Sequence, residues 1–226
     1  MKKVLIISGF LILILSGVFY AKQNFYDSKN KFESYENEAG KPANEQEIRD
    51  GDLIFQISLS AQCEAIQAAT KSKYSHCGII YKEKENYYVF EAIQPVKLTP
   101  LDEWITRGKD GHYVIKRLKN AEKILTPEII AKMKQVGEQF RGKNYDLTFR
   151  WSDDEMYCSE LIWKIYQRAA GIEIGKLERL KDFDLTSEIV KKKMKERYGD
   201  NIPMNETVIS PAAMFDSKLL MTVKTR

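Results

Sequence analysis

The stretch Met156-Tyr157-Cys158-Ser159-Glu160-Leu161 constrains this chain most. It stands where a polar loop, Ser152-Asp153-Asp154-Glu155, meets an apolar-periodic segment. Leu161, Ile162, Ile165, Tyr166, Ala169 and Ala170 recur at helical spacing, and Gly171 is a natural C-terminal stop. Cys158 is therefore expected in or just before the first turn of a helix. Backbone N–H groups there lack intrahelical partners, and the helix dipole is positive. That setting favours thiolate over thiol, and the thiolate is the nucleophile. With a base nearby, the segment would belong to a cysteine hydrolase or acyltransferase. Without one, Cys158 would be a small apolar core residue.

The chain opens with Met1-Lys2-Lys3 and an apolar run from Val4 to Ala21 that carries no charge. Residues 1–21 read as a signal peptide or an N-terminal membrane anchor. The run is near the shortest that spans a bilayer and longer than a usual signal core. Phe19 is a poor residue at a cleavage position, and no cysteine follows for lipid attachment, so cleavage and retention both stay open. Either reading exports the remainder to a periplasmic or other extracytoplasmic compartment, tethered to the membrane through residues 4–21 in the second case.

Loss of Lys2 and Lys3 lowers the formal charge from +4 to +2, which leaves no electrostatic case for nucleic acid. Residues 22–47 are polar and read as a linker or arm. Residues 48–226 suit one domain. Three cysteines, Cys63, Cys77 and Cys158, are too few for a disulfide scaffold. Their odd number leaves at least one thiol unpaired within a monomer. A Cys63–Cys77 pairing stays open.

Order is expected from Ile48-Arg49-Asp50-Gly51-Asp52, a turn, into the strand Leu53-Ile54-Phe55. A helix follows over residues 60–72, capped by Ser58 or Ser60. Two strands, Tyr74–Tyr81 and Tyr87–Ala92, flank a polar connection and predict an antiparallel hairpin. His76 and Glu91 would fall almost opposite each other on it, close enough to touch. A carboxylate facing an imidazole fixes its tautomer and stabilises its charged form. A short helix at Leu101–Thr106 and a strand at Gly111–Arg117 come next. A helix then opens at Thr126-Pro127-Glu128, with Thr as N-cap and Pro at its first position. Helices near residues 187–197 and from Ser210-Pro211, and a weak C-terminal strand, complete the reading.

Among the Cys–His combinations, Cys158 with His76 has the best context. His112 has only Asp110 nearby and reads as an ordinary strand-end residue. There is no C-x-x-C, H-E-x-x-H or second local Cys/His pair, and Asp153-Asp154-Glu155 lacks an EF-hand pattern. No metal and no organic cofactor is expected. A serine-based site is disfavoured because no G-x-S-x-G elbow is present.

These residues carry a family resemblance. Asp50-Gly51-Asp52-Leu53-Ile54-Phe55, Tyr74-Ser75-His76-Cys77-Gly78-Ile79, Phe90-Glu91-Ala92, Gly142-Lys143-Asn144-Tyr145-Asp146 and Tyr157-Cys158-Ser159-Glu160-Leu161 together resemble the circularly permuted papain-like enzymes. The likeness is to the YiiX/YaeF-type group related to NlpC/P60 peptidases and covers residues 48–175. The His strand precedes the Cys helix, the reverse of papain's order. The resemblance implies an α+β fold in which a small helical part leads an antiparallel sheet or small barrel, with the nucleophile's helix packed against it. It implies a catalytic Cys158, His76 and Glu91, with Tyr157 helping to shape the oxyanion site. It also implies amidase, peptidase or acyl-transfer chemistry through a thioester, on cell-wall peptides or lipid acyl groups. A non-catalytic envelope-binding module on the same scaffold is the alternative.

Overall fold

The computed structural model describes residues 47–226. The expectations for the N-terminal apolar run and the arm that follows it lie outside the described residues. Among the described residues no helix is long and apolar enough to cross a membrane.

Strands β1 (Leu53–Ser58), β2 (His76–Glu83), β3 (Asn86–Glu91), β4 (Lys97–Pro100), β5 (Gly108–Leu118) and β8 (Leu220–Thr225) form one sheet in the order β4-β3-β2-β1-β5-β8. Every neighbouring pair is antiparallel. The sheet is open, so the expected alternative of a small barrel is corrected: β4 and β8 are edges that do not pair with each other. Leu53, Ile54 and Phe55 of the central β1 are all fully buried. That explains their unbroken apolar run, since a strand covered on both faces has no polar side to alternate with.

The two faces are packed differently. Ile54, Ile80, Val89 and Ile115 meet Trp104 from α2 (Leu101–Thr106). Leu53, Phe55, Cys77, Ile79 and Phe90 form the larger core on the other face. Its helices include α4 (Pro127–Glu138) and α5 (Cys158–Ala170), which pack against each other. Both helices follow their local signals. Thr126 caps α4 by accepting the Ile129 N–H at 3.4 Å, with Pro127 at the first position. Gly171 ends α5 at φ +69°, a left-handed conformation that costs glycine little.

A second correction concerns the helical part. It does not lead the sheet: β1 comes before α1 (Ala61–Thr70). The helix expected over 60–72 is shorter, and Ser60 takes the N-cap position without capping through its side chain. Its hydroxyl contacts Cys63 Sγ at 3.0 Å instead. The C-terminal part supplies a short ribbon, β6 (Glu178–Arg179) with β7 (Thr207–Val208), then α6 (Glu188–Tyr198), which packs on α1, and α7 (Pro211–Phe215). A four-residue helix, α3 (Ala121–Ile124), precedes α4.

Candidate active site

Cys158 begins α5, with Tyr157 in an extended N-cap conformation. The first helical bond spanning it runs from the Leu161 N–H to the Tyr157 carbonyl. The amides at the helix start, beside the sulfur in the chain, therefore lack intrahelical partners. The sequence placed this helix because its apolar positions and its stop are local signals.

His76 is the first residue of β2. Its Nε2 lies 2.6 Å from Glu91 Oε2, and its ring stacks on Trp104 at 5.9 Å between centroids. That leaves Nδ1 as the ring nitrogen available to Cys158, whose interaction with the ring raises its pKa. The pairing with Glu91 is diagonal rather than directly opposite. The β2–β3 register sets Ile79 against Phe90, so Glu91 falls opposite Gly78, two residues beyond His76. The hairpin turn is centred one residue later than the sequence reading assumed. Diagonal neighbours on an antiparallel pair still reach each other when one side chain is long.

Gly78 makes this geometry available. A Cβ there would sit 2.3 Å from Val89 Cγ1, 3.1 Å from the Phe90 carbonyl and 3.5 Å from Glu91 Cβ. Gly78→Ala is therefore expected to push β3 away from β2 at the pair that carries Glu91. The predicted cost is about 1–3 kcal/mol of stability, typical of overpacking. The same variant should weaken the His76–Glu91 contact. Thermal unfolding together with thiol alkylation checks this; an unchanged melting temperature and alkylation profile would refute the role given to Gly78.

Glu91 is fully buried and heavily partnered. Thr99 Oγ1 donates to its Oε1 at 2.6 Å, and a terminal nitrogen of Arg107, the residue that ends α2, donates to the same oxygen. Burial works against its charge, but His76, Thr99 and Arg107 outweigh it and hold the carboxyl below its usual range. For His76, burial also opposes charge. Hydrogen bonds to Cys158 and Glu91, and their negative charges, overcome it and raise the ring's pKa to about 10.

The Cys158 thiol is driven well below its ordinary range. The largest contribution is a hydrogen bond from the Cys77 side chain; burial opposes it, while the His76 ring and the Cys77 N–H add to it. Cys77 itself is pushed well up, by burial first and then by the charge it faces. His76 and Cys77, consecutive residues at the start of β2, are thus the groups that stabilise negative charge on the sulfur. Such a site can hold a thiolate–imidazolium pair.

Tyr157 precedes the sulfur as the N-cap residue of α5. Its hydroxyl accepts the Ile209 N–H at 3.1 Å and its ring meets Phe149 edge-on at 5.1 Å. Its side chain is committed to the core and to the wall of a cavity. His112 stacks on Tyr74 at 6.3 Å and does not join the group around Cys158. Cys63, Cys77 and Cys158 are all free, so the open Cys63–Cys77 pairing is absent. Sequence reading missed Cys77, Thr99, Trp104 and Arg107. Only Cys77 carried a signal, its position next to His76.

Two hollows adjoin the candidate site, one bordered by Cys158 and the other by His76. One, of about 80 Å³, has Cys158 in its wall and is lined largely by apolar groups of α1, α6 and the 145–159 and 180–211 segments, among them Ala65, Ile66, Phe149, Leu180, Val190 and Met194. The other, about 590 Å³, has His76 in its wall with Gln56, Ser75, Gln94, Arg107 and Asn144. Gln62, Ile66 and Tyr145 line both, and Gln62 Nε2 donates to Tyr145 Oη at 3.1 Å along the partition.

A buried sulfur at a helix start, an imidazole on a preceding strand and a carboxylate behind it define a cysteine hydrolase of papain-like design with reversed chain order. The chain belongs to the permuted papain-like amidase family of YaeF/YiiX type, the C92 family, whose model matches residues 47–224. It is 49% identical over 182 residues to YiiX of Escherichia coli strain K12, described as an uncharacterized protein, covering 80% of this chain and 89% of that one. The crystal structure of yiiX from Escherichia coli O157:H7, described as a metalloprotein, matches with a TM-score of 0.76 at 49% identity, covering 80% of this chain and 99% of that one.

Proposed function

We propose that this chain is a thiol amidase that cleaves the bond between an aliphatic acyl group and an amine. The observation that carries the reading is the apolar hollow whose wall includes Cys158. A thiolate attacks a carbonyl carbon held beside it, so whatever extends from that carbonyl must fit the adjoining space. An apolar space suits a hydrocarbon chain better than the polar backbone of a cell-wall peptide, whose buried amides would lack partners.

In this reading Cys158 Sγ attacks the carbonyl and the oxygen becomes an oxyanion near the unpaired amides at the start of α5. His76 gives its proton to the departing nitrogen as the C–N bond breaks. Water, deprotonated by His76, then attacks the thioester; the carboxylic acid leaves and the sulfur recovers its charge. Glu91 keeps the ring oriented and charged, in the manner of a triad carboxylate. The export expected from residues 1–21 would put this chemistry at the membrane surface, where acyl substrates are found. Among the described residues no group of three or more His, Cys, Asp and Glu side chains is placed to hold a metal ion, so the relative's description as a metalloprotein finds no counterpart to carry over.

The test is a series of acyl 4-nitroanilides of increasing chain length. Each buried methylene contributes about 0.8 kcal/mol, so kcat/KM should rise about fourfold per CH2 until the hollow is filled. Ala69→Phe, which narrows the hollow from α1, should abolish the gain for long chains and spare short ones. A rate that ignores chain length, or a variant that slows all chains equally, would refute the acyl pocket.

A further inference from the structure

The second hollow raises the question of what leaves. His76 protonates the departing group, so that group must lie on the His76 side of the sulfur. The hollow there has a mixed wall, richer in polar groups than the first but also lined by Ala92, Ile93 and Leu147, and the Gln62–Tyr145 contact separates it from the acyl side.

Two of its walls hold polar atoms without partners. Gln56 is 1% exposed, lies directly across the β1–β2 ladder from His76, and its Oε1 has no hydrogen-bond partner. Arg107 gives one terminal nitrogen to Glu91, while its Nε is buried and unpartnered and its side chain stays about one-third exposed. A buried acceptor and a guanidinium with unused donors are each unfavourable unless a ligand completes them. Arg107 also brings a positive charge to the wall of this hollow, with one terminal nitrogen engaged by Glu91. Glu155 also borders the hollow but is exposed to solvent, where its charge is screened.

We propose that this hollow is a leaving-group site for an amine that carries an anionic group, so that the substrate class is acyl amides of amino acids or of phosphorylated amino alcohols. The inference rests on the amidase reading above. Gln56 Oε1 accepts the N–H of the scissile amide, and the Arg107 guanidinium pairs with the carboxylate or phosphate. The bond that forms is Cys158 Sγ to the acyl carbon. The bond that breaks is acyl carbon to nitrogen, and the proton from His76 goes to that nitrogen. The released amine keeps its anionic group. No oxidant or further reactant is required beyond water for the second half-reaction.

The experiment compares dodecanoyl amides of glycine, glycinamide, ethanolamine and O-phosphoethanolamine, with dodecanoyl 4-nitrophenyl ester as a substrate whose leaving group needs neither contact. The expected result is that kcat/KM for the glycine or phosphoethanolamine amide exceeds that for its neutral counterpart by roughly 10–100-fold, the scale of a hydrogen bond to a charged group. The larger of the two tells carboxylate from phosphate. Arg107→Gln should bring the charged-to-neutral ratio close to one; a purely structural loss through Glu91 would lower both amides together and leave the ratio intact. Gln56→Leu leaves the Arg107–Glu91 contact untouched and should lower the amide-to-ester ratio, which covers the case in which Arg107→Gln does not fold. Equal rates on charged and neutral amides in the unaltered protein, with the ester cleaved, overturn the inference alone. Failure to cleave the ester as well overturns the amidase reading beneath it.

Discussion

Cys158→Ser is expected to lower turnover of any substrate the unaltered protein cleaves by about 10⁴-fold or more, the scale seen when the nucleophile of a catalytic unit is removed. The reason is chemical rather than steric. A serine hydroxyl fits the same first-turn position of α5, but it has no means of staying ionised beside His76, and a neutral hydroxyl is a poor nucleophile. The melting temperature should change little, because the substitution exchanges sulfur for oxygen without opening a large cavity. Steady-state turnover and a thermal melt of the two proteins decide it. A Cys158→Ser protein that keeps full activity would remove Cys158 from the mechanism, whatever its surroundings.

His76→Ala should have an effect nearly as large, and its signature is a shift along the pH axis. In the unaltered protein the thiol is held well below its ordinary range, and the ring loses its proton only at about pH 10. Thiolate and imidazolium therefore coexist between the two. Alkylation of Cys158 should already be fast well below pH 8.5, the ordinary thiol value of about that size. As pH falls through the lowered pKa of Cys158 the thiolate is protonated and reactivity drops. As pH rises through about 10 the ring becomes neutral, and turnover falls for want of a proton donor. Removing the ring leaves the sulfur with Cys77 and the helix amides but no nearby cation. Burial, which opposes the charge, then counts for more. The alkylation midpoint should move up toward or beyond the ordinary value, and turnover should fall by about 10²–10⁴-fold, the contribution of a positioned acid–base. The measurement is the rate of iodoacetamide labelling against pH in proteins carrying Cys63→Ala and Cys77→Ala, so that only Cys158 reports; the second change itself removes a donor and raises the midpoint of both arms alike. Identical profiles with and without His76 would leave a binding module on a papain-like scaffold as the better reading.

The linkage to folding carries a definite sign. His76 has a folded-state pKa raised from 6.5 to about 10. Its contribution to stability is therefore complete below about pH 6.5 and is lost as pH rises through about 10. Glu91 and Cys158 are lowered, so theirs is lost on the acid side.

Much of the site was legible because its parts announce themselves locally. The helix of Cys158 could be read from apolar spacing and from Gly171. The hairpin bringing His76 near Glu91 could be read from two strand-like runs and a polar turn. The start of α4 followed from Thr126-Pro127. Each of these depends on residues within one or two turns or one hairpin of each other, where capping, periodicity and turn chemistry act. The order of His strand before Cys helix, also visible in the chain, identified the permuted architecture.

What required the tertiary structure is whatever depends on packing between distant segments. The register of β2 on β3 was two residues off, because shifting a turn's centre by one residue costs little locally while Gly78 and the buried faces select one pairing. Cys77 sits beside His76 in sequence, yet its contact with Cys158 exists only because α5 packs against β2. Arg107 reaches Glu91 from the end of a helix 16 residues away, and nothing in its own neighbourhood signals that. The two hollows are built from segments as far apart as Gln62 and Ile209. Their contrast, almost wholly apolar on the Cys158 side and mixed on the His76 side, is set by which side chains the folded chain turns into each hollow. Local chemistry thus determined which groups could react, and long-range packing decided what they can hold.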